Sequence, residues 1–159
     1  MKARGFFRIK IGDSKREDGA IEVETGDSGW RKNTIVNLGF NQYLVQTLGG
    51  MAGSKTVSYA LLGTGTAPGV TDTSLNGELT DAAGMRMAVS PTSSSNSKAI
   101  VFAFTLNSNV ITAAHTIQNV GLINTSTTSI GTIFAGNTYT TSALATNQVV
   151  NGSYQINFA

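Results

Sequence analysis

Ser153-Tyr154-Gln155-Ile156-Asn157-Phe158 places Tyr154, Ile156 and Phe158 on one side of an extended chain and Ser153, Gln155 and Asn157 on the other. Successive side chains of a strand point to opposite faces, so this alternation predicts a strand with one buried and one wet face. Upstream, further runs read the same way: Val57 to Leu62, Met85 to Val89, Ala99 to Leu106, Thr116 to Ile123 and Gly131 to Ala135. They are rich in β-branched and aromatic residues. Polar turn clusters, Ser93 to Ser97 and Asn124 to Thr128, separate them. Short strands at this spacing predict an all-β domain, a β-sandwich or jelly-roll-like body spanning residues 33–159.

One short helix interrupts the pattern near residues 37–48. Asn37 or a neighbour supplies a capping side chain, Leu38, Leu44, Val45 and Leu48 form an apolar stripe, and Gly49-Gly50 stops the helix. Ahead of it, residues 1–32 read as an N-terminal arm or edge strands. Phe7 to Ile11 and Ala20 to Glu24 alternate apolar and charged residues, joined by the polar loop Gly12 to Gly19 and followed by the turn Gly26 to Gly29.

Composition narrows the function classes. The 159 residues suit one domain with its own core, and no cysteine is present to staple it or to ligate a metal as thiolate. No apolar run approaches the roughly 18 residues that span a bilayer, and charges follow Met1 too closely for a secretory signal, so the expectation is a soluble chain made in the cytoplasm, without a membrane partner. A net charge of +2 is too small to point to nucleic acid.

The distribution of charge says more. Residues 1–32 hold eight Lys or Arg and six Asp or Glu, whereas the 61 residues from 99 to 159 hold none of the four. Charged residues are only 13% of the chain, against about a quarter in an ordinary soluble domain. Thr, Ser, Asn and Gln fill the polar positions instead, and they are cheaper to bury than ions. Two consequences are open: a face cheaply buried against a neighbour, or a soluble sandwich whose outward strand positions are simply hydroxyls and amides.

Candidates for chemistry are sparse. The sole histidine, His115, has no charged neighbour in sequence to orient it. Asp72, Glu78 and Asp81 cluster, and paired carboxylates hydrolyse glycosides or hold calcium, yet Thr71, Thr73, Ser74 and Asn76 around them fit turn and capping roles. Gly63 to Gly69 imitates a phosphate loop but lacks its lysine and its helix, so a tight strand exit is the better reading. Asp13 to Gly19 loosely imitates a calcium loop, with Lys15 and Arg16 where ligands belong. The expectation is no catalytic residue, no metal and no cofactor. A partner interface is expected at Lys2, Arg4, Phe6, Phe7, Arg8, Lys10 and Trp30, cations to meet an acidic surface and rings to anchor on it.

Three segments carry a resemblance. Trp30 to Gly39, then Leu61 to Pro68 leading into Thr71 to Leu75 with Glu78-Leu79, then Asn119 to Asn124, are together similar to a pattern of small tailed-bacteriophage virion proteins. The resemblance covers residues 30 to about 158 and implies a helix after the asparagine-rich opening, a strand ended by the glycine-threonine repeat, and a β-sandwich. It implies a capsid decoration (cement) subunit on the virion surface, assembled in the host cytoplasm. The implied partners are the major capsid protein and further copies of the chain, as a homotrimer. The alternative it implies is a tail or fibre component recognising host glycans, for which Tyr139 and Tyr154 would offer rings. The charged first thirty residues depart from the pattern.

Overall fold

The computed structural model of the chain describes residues 2–13, 21, 23–81, 85–95 and 97–159. Among the described residues, eleven strands form two antiparallel sheets: β1 (Ala3–Asp13), β2 (Val23–Asp27), β3 (Arg31–Lys32), β4 (Thr34–Ile35), β5 (Tyr59–Gly63), β6 (Met87–Ala88), β7 (Ser90–Thr92), β8 (Ala99–Leu106), β9 (His115–Ile123), β10 (Ile133–Leu144) and β11 (Gln148–Phe158). The first sheet runs β2-β1-β11-β8-β7, with β3 also on β1; the second runs β4-β10-β9-β5-β6. The chain is an all-β, sandwich-like domain with one short helix. Among the described residues no helix is long and apolar enough to cross a membrane.

Period-two alternation decides which face each strand of the first sheet buries. On β11, Val150, Tyr154 and Ile156 point inward, and on β1, Phe7, Ile9 and Ile11 do the same. The two strands pair from Ala3↔Phe158 to Asp13↔Gln148, and Lys2 and Ala159 exchange backbone N–H···O bonds of 2.7 and 2.8 Å beyond the last strand pair. Phe7 stacks on Tyr154 with ring centres 6.0 Å apart and meets Tyr139 of the facing sheet edge-on at 5.9 Å. Such ring contacts close the core between the sheets.

Of the arm or edge strands expected over residues 1–32, β2 and β3 lie at the sheet's edge and β1 one place in from it. That strand carries β11 on one side and β2 and β3 on the other, so its backbone groups are satisfied within the domain. Of the loop Gly12 to Gly19, residues 14–19 lie outside the described residues, as do Ala20 and Glu22 of the predicted strand; the described strand there is Val23–Asp27.

Strands of the second sheet are buried on both faces at their centre, which is why they read as continuous apolar runs. Leu62 and Leu122 enter the main core, while Leu61, Ile123 and Ile133 form a second cluster with Val36 and Leu75. The cover over that outer face is the segment 64–81. Asn119, fully buried on β9, holds it by donating from Nδ2 to the carbonyls of Thr66 and Asn76, both at 2.9 Å. The Gly63 to Gly69 stretch is therefore a strand exit, with no helix behind it.

The helix occupies residues 37–48, wound as a π-helix over Gly39–Val45 and closing with an α-helical turn at Gln46–Leu48. No side chain caps its start, and of the predicted stripe Leu38 and Leu44 pack against the core clusters while Val45 and Leu48 do not. Wider i to i+5 winding turns Tyr43 and Gly39 inward, while Val45 and Leu48 face out, Leu48 at 85% exposure. Tyr43 donates its hydroxyl to the Thr132 carbonyl and packs on Phe134 at 5.2 Å. Burial pushes that hydroxyl well above the ordinary tyrosine range, so it stays neutral.

Candidate functional site

The seven residues predicted to form an interface gather around β1 and are sorted by its two faces. Lys2 and Arg4 are exposed, and Phe6, Arg8 and Lys10 lie half-buried on the outer face. Trp30, 51% exposed, stands between β2 and β3. Phe7 is a correction: it points into the core at 0% exposure and has no face left for a partner. The cations of Arg8 and Lys10 are also engaged within the domain. Arg8 forms a forked pair with Asp27, its Nε 2.9 Å from Oδ1, and Lys10 pairs with Glu24. The forked hydrogen bonds to Arg8 hold the Asp27 carboxyl at about 2, below its ordinary 3.8, helped by the Gly29 N–H.

The clustered carboxylates are not brought to one site. Asp72 accepts the Gly69 N–H at 2.9 Å as a turn cap. Glu78 lies against Arg86, which donates to both its oxygens at 2.6 and 2.8 Å. Asp81 bonds Nε2 of His115, a partner brought from 34 positions away that the local sequence around the histidine does not reveal. Among the described residues no group of three His, Cys, Asp or Glu could hold a metal ion. Of the Asp13 to Gly19 loop, all but Asp13 lies outside the described residues.

The rings offered for glycan stacking are corrected too. Tyr139 and Tyr154 are buried between the sheets at 8% and 0% exposure, and burial raises both hydroxyls far above the ordinary range. Neither can present its face to a sugar.

Two surfaces remain. The first is the outer face of the first sheet across β11, β8 and β7, where strand pairing aligns Ser153 with Ala103 and Ser90, and Gln155 with Val101 and Thr92. Asn151 and Thr105 continue it, bonded at 2.8 Å. This face carries no ionised group.

The second surface is the helix and the end of the sandwich beneath it. Phe40, Val45, Leu48 and Met51 are exposed there. Two apolar concavities of about 490 and 460 Å³ flank the helix and share Tyr43, Leu44, Thr47 and Phe158 as lining. Sequence reasoning assigned this face to the core. The signal that could have found it is that residues 33–54 contain no charge yet offer apolar side chains all round a short helix.

Fold and surfaces together define a class: an all-β, two-sheet domain whose distinctive features are uncharged or apolar exposed faces. No protein-family model, no curated protein and no solved structure matches the chain.

Proposed function

We propose that the chain is a non-enzymatic structural subunit of a bacteriophage particle, a capsid decoration protein. In this reading it associates with copies of itself as a trimer, binds the major capsid protein and stabilises the head. The observation that carries the proposal is the stretch of the first sheet's outer face over β11, β8 and β7, where hydroxyl, amide and small apolar side chains stand without an ionised group. Hydroxyl and amide side chains there lose little on leaving water and meet no like charge on an identical copy. Exposed apolar groups on the helix favour the same class, since contiguous apolar surface marks contact with protein. The motif resemblance supplies the phage setting. Binding of this kind stabilises the particle by mass action on the assembled state.

The test has two arms. Mass measurement of the free protein is expected to give an oligomer, and an Ala103→Glu variant, altered on that exposed face, is expected to run as a monomer with unchanged melting temperature. Purified protein is expected to bind undecorated phage heads and raise their heat resistance. A lone monomer with no affinity for heads overturns the proposal.

A further inference from the structure

The two concavities beside the helix continue into a third, of about 330 Å³, through the shared residues Ala3 and Phe40. Together they make one trough around the end of the sandwich. Its middle is apolar, built on Leu44, Val45 and Phe158. Its two ends are cationic: Lys55 and Lys98 line one, and Lys2, Arg4 and Lys32 line the other. No acidic residue lines any of the three concavities. Whereas Arg8, Lys10 and Arg86 have carboxylate partners inside the domain, these five cations form no ion pair among the described residues.

We infer that this trough holds an extended segment of a partner protein whose apolar centre is flanked at both ends by acidic residues. The inference rests on the reading of the chain as an assembly subunit, and names the chemistry of what it grips. Two observations select such an occupant. Charge complementarity requires anions at both ends of an apolar body, which a single-headed amphiphile does not supply. Val45 and Leu48 line the second concavity yet stay largely exposed, so its apolar floor is open to solvent and suits a chain better than an enclosed small molecule.

The experiment selects binders from a displayed library of random peptides on the immobilised protein, then measures them on the wild type and on Lys98→Glu and Arg4→Glu, two exposed positions at opposite ends. The expected result is enrichment of apolar residues flanked by aspartate or glutamate, affinity that falls with salt, and a loss of about tenfold in each variant. No enrichment, basic or charge-free sequences, or wild-type affinity in either variant overturns the inference. So does a preference for vesicles of anionic phospholipid over the selected peptides. The same proteins are assayed on undecorated phage heads. If both variants bind heads as the wild type does, the trough is not the docking site although the assembly reading stands; if the wild type binds peptides but not heads, that reading fails and the trough inference survives.

Discussion

Among the described residues Arg86 is the buried charged side chain, and its partners come from two segments, eight and some forty residues away from it. Besides the forked pair with Glu78, its Nη1 donates to the carbonyls of Thr125, Thr127 and Ile130, so one guanidinium pins the 125–130 loop beside the cover segment. Arg86→Met keeps the apolar stem but strands a carboxylate and three carbonyls. Removing one member of such a pair costs about 3–5 kcal/mol, and that loss is expected in urea unfolding of the variant. Glu78 had been legible only as one of three clustered carboxylates. What separates it from a catalytic acid is a cation eight positions on and a loop some forty positions further, which sequence proximity does not reveal.

Among the elements, the β1–β2 ladder makes a pH-dependent contribution. The Asp27 carboxyl titrates at about 2 in the folded chain instead of 3.8, so its pairing with Arg8 stabilises fully above roughly pH 4 and is lost as pH falls through 2. The pair is partly exposed, which keeps its worth small. Asp27→Asn is expected to leave a smaller fall in unfolding free energy between pH 5 and pH 2 than the wild type shows, as followed by urea titration at each pH. The helix illustrates the limits of periodicity. A β-carbon at Gly39 would lie 2.1 Å from the Phe134 carbonyl oxygen, so glycine is what lets the helix sit down on β10. That close approach, with the Tyr43 hydroxyl bond, selects the π winding and turns Val45 and Leu48 outward, against a stripe read at 3.6 residues per turn.

For the molecule as a whole, pairing of β1 with β11 joins the two ends of the chain inside one sheet. An arm could be removed without harm, but an interior strand cannot. Deleting residues 2–13 would strip β11 of one of its two partner strands and remove Phe7, Ile9 and Ile11 from the core. The truncated chain is expected to lose its cooperative thermal transition and its near-ultraviolet circular dichroism. A truncation that still melts as one sharp unit would return residues 2–13 to the status of an accessory arm.

The all-β class, the strand Ala99–Leu106, the inward face of the last strand and the helical segment near 37–48 were all determined by sequence alone. Alternation and turn chemistry act between close neighbours in the chain, so they survive in one dimension. Tertiary structure alone decided that β1 is an interior strand, that the Phe7 and Tyr139 rings meet across the core, and that cations from residues 2, 4, 32, 55 and 98 border one trough. Those facts depend on pairings across as many as 155 positions, such as Ala3 with Phe158, and no local pattern encodes which distant strand will satisfy a given edge.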